Sequence, residues 1–306
     1  MTQLQICFLG IGGSWPCKER SVPAVAIKRG PEIILFDCGE GTQRQFQKSP
    51  LSYMDVDRIF ISHFHGDHFL GLPGLIQTMS LNDRKKPLQI YGPEGMKKLL
   101  NQLLHLGYFT PTYEIVAHEI SDGEFVDCGE YKIRAFAVKH CIPTLGYVLV
   151  ENERPGRFNK KKALELGVPE GPMFGKLQAG QSVKLKDGKT IKPDDVLGKP
   201  REGRKIVYSG DTAPCPSLLE AARGCDVLIM DATAGDALKE KAAQYGHSTA
   251  RQAAELAKEA KAKLLFLFHF SPRYEDASVL EIEAKEVFEN SIVSTELCLY
   301  DVKMAD

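Results

Sequence analysis

Arg58-Ile59-Phe60-Ile61-Ser62-His63-Phe64-His65-Gly66-Asp67-His68 is the stretch on which the reading of this chain turns. Its first five residues set Ile59, Phe60 and Ile61 between Arg58 and Ser62, the composition of a short strand. The next six hold three imidazoles and a carboxylate. These are donors that suit Zn²⁺, and H-x-H-x-D-H supplies four of them from one tight turn. Four could close a single structural site, but three more candidates have similar settings. His140 follows the strand-like Tyr131–Val138, Asp211 follows Tyr208-Ser209-Gly210, and His269 ends the apolar run Leu264–Phe268. Strand carboxyl ends beside glycines are where α/β folds build sites. Seven donors suit two ions ~3.5–4 Å apart with one carboxylate bridging, the arrangement used for in-line attack at phosphorus. His105, in a helical stretch, and His118, in a strand-like run, lack this setting and are assigned to structure.

Outward from this motif, strand-like and helical runs alternate. Gln5–Leu9, Val25–Ile27, Ile33–Asp37 and Leu88–Tyr91 read as strands, and Leu72–Leu81 and Glu94–Leu104 have helical apolar spacing. A run of strands follows over Glu114–His118, Phe125–Cys128, Tyr131–Val138 and Tyr147–Val150. Alternation then returns with Lys205–Tyr208, Val227–Asp231, an Ala/Glu/Lys-rich helix over Ser248–Ala260 that starts near His247 or Ser248, and Leu264–Phe268. The expectation is an α/β fold of two facing sheets with helices outside. Between Val150 and Lys205 the pattern dissolves into a segment rich in Gly, Pro and Lys and poor in large apolar residues. It reads as an arm, 151–204, inserted into one domain spanning 1–306.

The 306 residues carry 39 Lys and Arg against 40 Asp and Glu, a net charge of −1, with 43% hydrophobic residues. That excludes a disordered chain, a collagen-like repeat and a strongly basic nucleic-acid coat. The average conceals an asymmetry. From Arg154 to Lys205 there are 14 Lys and Arg against 6 Asp and Glu, a local net of +8, and the remainder nets −9. An acidic body is thus joined to a basic arm, which marks the arm as the place for a nucleic-acid partner. The eight scattered cysteines form no C-x-x-C pair and read as free thiols of a reducing compartment. Met1 to Gly13 lack the layout of a secretory signal, and no apolar run approaches the ~18 residues of a span. A cytoplasmic protein without membrane association is expected.

H-x-H-x-D-H after a strand, followed by separated His, Asp and His, resembles the metallo-β-lactamase superfamily. Phe8-Leu9-Gly10-Ile11-Gly12-Gly13, Phe36-Asp37-Cys38-Gly39-Glu40-Gly41-Thr42-Gln43, Tyr208-Ser209-Gly210-Asp211-Thr212 and Phe268-His269-Phe270-Ser271-Pro272-Arg273-Tyr274 narrow the resemblance to RNase Z, the short-form tRNA 3′-processing endoribonucleases. It runs from Leu4 to about Tyr274. It implies the αββα sandwich and two Zn²⁺ per subunit. One ion would be held by His63, His65 and His140, the other by Asp67, His68 and His269, with Asp211 bridging. Asp67 would also orient or deprotonate the attacking water. His247, in Gly246-His247-Ser248-Thr249, would protonate the leaving oxygen.

The same resemblance implies RNA contacts. Pro16-Cys17-Lys18-Glu19-Arg20-Ser21 matches the family loop near the tRNA 3′ end, with Lys18 and Arg20 as contacts and Ser21 where Asn is usual. Lys160, Lys161, Lys162 and the Gly171-Pro172 element match the family's tRNA-gripping exosite, which acts across a homodimer. Two further departures, Ile11 for Thr and Asp231 for Glu, are expected to touch no ligand. Arg273, four residues after His269, is placed for a phosphate or a surface ion pair. The expected function is removal of the 3′ trailer from precursor tRNA, cut 3′ of the discriminator nucleotide to leave a 3′-hydroxyl. A small-molecule phosphodiesterase or arylsulfatase on the same scaffold would share the metals but not need the arm. An RNA-binding protein with a vestigial site is disfavoured, because unpaired buried acids and imidazoles are costly to keep. Zn²⁺ and Mn²⁺ both accept these ligands.

Overall fold

The strand Leu4–Gly10 is buried at every position, and its side chains divide by the strand period of two. Ile6 and Phe8 enter a core shared with a second sheet, while Cys7 and Leu9 enter another core on the opposite face. Ile34 and Phe36 against Ile33 and Leu35 repeat the division in the strand Glu32–Phe36. A sheet covered on both faces needs such sequences. The structure, a computed structural model, describes residues 2–304.

Two seven-stranded sheets form the body. The first runs Leu299–Asp301, Leu4–Gly10, Ala24–Arg29, Glu32–Phe36, Val56–Phe60, Leu88–Gly92, Ile115–Glu119. The second runs Ser291–Val293, Leu265–Phe268, Val227–Asp231, Lys205–Tyr208, Leu145–Glu151, Tyr131–Ala137, Phe125–Asp127. Aromatic rings hold the sheets face to face. Phe36 stacks on Tyr147 and Tyr208 at 5.8 and 5.4 Å, and Phe8 meets Phe266 at 5.1 Å. The helices Leu72–Leu81 and Met96–Leu104 cover the first sheet's other face, and Ala250–Glu259 belongs to the second sheet's core. This is the αββα sandwich of the metallo-β-lactamase class. In each sheet the parallel strands send their carboxyl ends the same way, and the donor-bearing turns hang from those ends.

Several details depart from the sequence reading. The helix expected to start near His247 or Ser248 begins at Ala250. Thr249 caps it, accepting from the Gln252 amide while the Gln252 side chain accepts from the Thr249 amide. Two short strands, Ser291–Val293 and Leu299–Asp301, lie beyond the last expected one. They are three residues each, too short to show a period.

Residues 150–203 form a separate compact unit. It contains the helices Lys160–Glu165 and Pro172–Gln178 and a hairpin of Val183–Lys184 with Thr190–Ile191. Its sparse apolar residues are enough for a small core of Ala163, Val168, Leu177, Val183, Ile191 and Val196, with Phe158 packed on Phe174 at 4.8 Å. The segment is therefore folded. Its apolar residues are set singly among Lys and Gly, and its elements are too short to register as periodic.

One buried charge staples the body's first sheet to the loops beneath it. Arg84 is 2% exposed and donates to the carbonyls of Met54, Val56, Lys86 and Pro87 at 2.7–3.0 Å. Arg84→Met keeps the aliphatic stem but strands those carbonyls. It should lower the urea midpoint by an amount equivalent to about 3 kcal/mol.

Candidate metal centre

The strand Val56–Phe60 stops where its chain turns toward the second sheet. The Leu145 amide donates to the Ser62 carbonyl at 3.0 Å, and the Tyr147 hydroxyl donates to the Ile61 carbonyl at 2.7 Å. From there His63, His65, Asp67 and His68 project into one space, joined by His140, Asp211 and His269 from the second sheet's strand ends. His65 Nδ1 lies 3.0 Å from His63 Nε2 and 3.2 Å from His140 Nε2. On the other side, Asp67 Oδ2 lies 3.6 Å from His68 Nε2 and 3.5 Å from His269 Nε2. Asp211 joins the two groups. Its Oδ2 is 3.7 Å from His63 Nε2 and 3.2 Å from both His68 Nε2 and His269 Nε2.

Within this space, donor atoms of His63, His65, His140 and Asp211 lie within 4.8 Å of one another, as do those of Asp67, His68 and His269. The buried atoms His68 Nε2, Asp211 Oδ1 and His269 Nε2 make no hydrogen bond. Each orphan of this kind costs ~1–3 kcal/mol unless something binds it. A divalent ion accepted by imidazole and carboxylate would satisfy all three, so the residues fit the paired-metal group.

A second layer of groups aims the donors, and two buried carboxylates organise it. Asp37 accepts from the Ser62 amide, the Ser62 hydroxyl, His68 Nδ1 and the Tyr208 hydroxyl, at 2.6–2.8 Å. The Ser62 hydroxyl in turn accepts from His63 Nδ1 at 2.9 Å. Asp231 is its counterpart, accepting from the Thr212 and Thr233 amides, the Thr233 hydroxyl and His247 Nδ1 at 2.7–3.0 Å. The Thr233 hydroxyl accepts from His269 Nδ1 at 2.9 Å. With Nδ1 donating outward, His63, His68 and His269 each turn Nε2 to the centre. His140 Nδ1 donates to the Gly246 carbonyl at 2.9 Å and likewise turns Nε2 inward. Two glycines make the close approaches. A Cβ on Gly13 would stand 2.4 Å from His269 Cε1, and one on Gly246, at φ +72°, would stand 2.9 Å from His140 Cα.

Electrostatics suit this donor set. Burial, with neighbouring imidazoles adding to it at His63 and His65, holds His63, His65 and His140 below the ordinary imidazole range. Burial alone would raise Asp67 and Asp211, but the surrounding imidazoles, His269 foremost, keep both well below the usual carboxylate range. His68 behaves differently. Burial opposes its charge, yet Asp211 and Asp37 outweigh that and hold it well above its ordinary value, so it would surrender a proton on ligating a metal. At His247 burial also lowers the pKa, but the Asp231 charge and hydrogen bond push it up to about 9.

Comparison with known proteins gives this geometry its context. Residues 182–270 match the model for the beta-lactamase superfamily domain, and residues 4–154 match the model for the anti-Pycsar protein Apyc1. The ribonuclease Z of Methanosarcina acetivorans is 50% identical over 295 residues, covering 96% of both chains. That of Myxococcus xanthus is 45% identical over 293 residues, covering 95% of both. This chain belongs to the ribonuclease Z family. Human tRNase Z, short form, superposes with a TM-score of 0.72 at 29% identity, over 98% of this chain and all of that one. The Bacillus subtilis metallo-beta-lactamase fold protein YhfI, at 17% identity and a TM-score of 0.71, shares the fold.

In this chain the seven donors expected from the sequence converge, with His247 beside them at 5.1 Å from the His269 ring and 5.0 Å from the His140 ring. His105, exposed and bonded to the Asn101 carbonyl, and His118, bonded to Gln89, lie outside the group. Lys18 is exposed and pairs with Glu19. Arg20 is turned inward instead, buried, donating to the Tyr274 carbonyl and lying over the Phe270 ring. Lys160 pairs with Glu170, and Lys161 and Lys162 are exposed in the first turn of their helix. Gly171 and Pro172 open the next helix. Arg273 is exposed.

Asp231 makes no hydrogen bond to a predicted metal ligand, as expected, but it bonds His247 directly and reaches His269 through Thr233. Asp37 was legible as part of a family motif and Asp231 as a departure from one; nothing in their spacing assigns them this work. If Asp37 aims His68, Asp37→Ala should weaken divalent-metal binding by about 10–100-fold. Calorimetric metal titration of the folded variant checks this, and unchanged affinities would remove Asp37 from that role.

Proposed function

We propose that this ribonuclease Z family member is a zinc-dependent endoribonuclease that removes the 3′ trailer from tRNA precursors. It cuts 3′ of the discriminator nucleotide, leaving a 3′-hydroxyl on the tRNA and a 5′-phosphate on the trailer. The observation that carries this reading is an imidazole, His247, held through Nδ1 by Asp231 at the rim of seven converging donors. Relatives named ribonuclease Z, at up to 50% identity over nearly the full chain, support the choice of substrate.

Two Zn²⁺ ions per subunit, when bound, supply the Lewis acidity that makes hydroxide available near neutral pH and offsets charge growing on the phosphate. His63, His65 and His140 would hold one ion, Asp67, His68 and His269 the other, and Asp211 would bridge. Asp67 also orients the attacking water, and its Oδ2 is itself fixed by the Ser14 amide at 2.7 Å. Departure of the 3′-oxygen breaks its bond to phosphorus and leaves that oxygen needing a proton. His247 carries one at neutral pH, because Asp231 keeps its pKa high, and delivers it from Nε2.

Binding would be shared between the body and the arm. Lys160, Lys161, Lys162 and the Gly171-Pro172 turn grip backbone phosphates, a shape-based and salt-sensitive mode that takes every tRNA. The arm of one subunit of a homodimer presents RNA to the centre of the other. Lys18 and Arg273 add contacts near the cut, while Arg20 holds the loop that carries Lys18. The working compartment is the cytoplasm. The eight cysteines are free, and among the described residues no helix is long and apolar enough to cross a membrane.

The direct test is a 3′-extended tRNA precursor with metal-loaded protein. A single cut after the discriminator is expected, abolished by chelation and restored by Zn²⁺. No such cut defeats the proposal, and cleavage of a model phosphodiester alone would favour a small-molecule hydrolase. His247→Ala should lower kcat by about 10²–10⁴-fold. A precursor with sulfur replacing the 3′-bridging oxygen should recover most of that loss, since a thiolate leaves without a proton. Deleting residues 156–199 should spare a small phosphodiester and abolish precursor cleavage. Survival of both activities would discard the arm's role.

A further inference from the structure

Beside the metal centre lies a second cleft for which the mechanism has so far no use. The first, about 500 Å³, is lined by Asp67, His140, Asp211 and His269. The second, about 350 Å³, is lined by Lys241, Arg273 and Leu238. Ser14, Trp15, Tyr245 and His247 line both. His247 therefore stands on the boundary, with Nδ1 held by Asp231 and only Nε2 left to donate.

We propose that the second cleft is a subsite for the single nucleotide on the 5′ side of the scissile bond, with Trp15 and Tyr245 as its stacking faces. This rests on the trailer-removing function proposed above. The oxygen that takes the His247 proton is the 3′-oxygen of that nucleotide's ribose. If the phosphorus sits over the metal donors and the leaving oxygen at His247, the ribose and base must continue past His247, and the second cleft lies there. Its volume is within the range of small-ligand sites. Trp15 and Tyr245 are 61% and 54% exposed, which leaves ring surface at the cleft for a base to cover. Lys241 and Arg273 have no carboxylate partner among the described residues, leaving two cations for the phosphate on the nucleotide's 5′ side.

The platform is tied to the chemistry through its backbone. Trp15 follows Ser14, whose amide bonds Asp67 Oδ2, and Gly13, which packs on the His269 ring. Tyr245 precedes Gly246, whose carbonyl holds His140. Each aromatic residue is therefore within two residues of a backbone group that aims a metal donor. Stacking grips any base, so this subsite fixes where the chain is cut without selecting sequence.

Trp15 is the chain's one tryptophan, so its fluorescence reports the subsite without any reaction. Titrating the metal-loaded protein with adenosine 5′-monophosphate should quench it saturably, while ribose 5-phosphate should not. Tyr245→Ala should weaken the nucleotide by about 10–100-fold. Lys241→Ala with Arg273→Ala should weaken it at low salt and flatten its salt dependence. Quenching of equal strength in Tyr245→Ala, or equal quenching by the sugar phosphate, overturns the proposal. A second arm uses precursors abasic at the last nucleotide before the cut or the first after it. The former should lose about 10–100-fold in kcat/KM, and that penalty should vanish in Trp15→Ala/Tyr245→Ala. A penalty confined to the first trailer nucleotide overturns the assignment of side. If no precursor is cut at all, the function proposed above fails, and the fluorescence titration still decides whether a nucleotide occupies the cleft.

Discussion

A carboxylate with no water around it is tolerable only when every lone pair is used, and Asp37 meets that condition with donors from distant parts of the chain. Ser62 and His68 flank the donor-rich turn, and Tyr208 comes from the opposite sheet. Three of the four bonds fix the donor-rich turn to the end of its neighbouring strand, and the Tyr208 bond ties that turn to the opposite sheet. Removing the Asp37 charge would strand a tyrosine hydroxyl, loosen His63 through Ser62 and free the His68 ring. The same logic recurs at Asp231, where Thr212, Thr233 and His247 converge. Two buried acids thus aim much of the centre.

The donor set was legible because metal ligation needs specific atoms, and few residue types provide them. Three imidazoles and an acid in six residues have little other reason to occur, and His140, Asp211 and His269 share their placement at strand ends. Most strands, and the helices over Leu72–Leu81, Met96–Leu104 and Ala250–Glu259, were legible from apolar runs and periods. The strands Ser291–Val293 and Leu299–Asp301 and the helices Pro216–Ala222 and Ser278–Lys285 were not. The supporting acids were hidden for a different reason. An aspartate after a strand looks alike whether it caps a turn or orients a ligand, and only its neighbours across the fold distinguish the two.

The basic segment shows how composition and folding come apart. A net of +8 between Arg154 and Lys205 and a scarcity of large side chains suggested little internal order. Residues 150–203 nevertheless close around a core of six buried side chains. Lysine accommodates this readily, since its stem can lie along an apolar surface while the ammonium stays in water. A small folded unit can therefore hold a high density of cations in fixed positions, which a loose loop of equal charge could not.

Asp231 serves two masters: one oxygen receives the His247 ring, and the other receives Thr233, which holds His269. The proposed proton donor and a proposed metal ligand therefore lean on one carboxylate. Neither can drift without the other, and substitutions around them will combine non-additively. For a lineage exploring new substrates on this scaffold, the acid and the metal are a single heritable character.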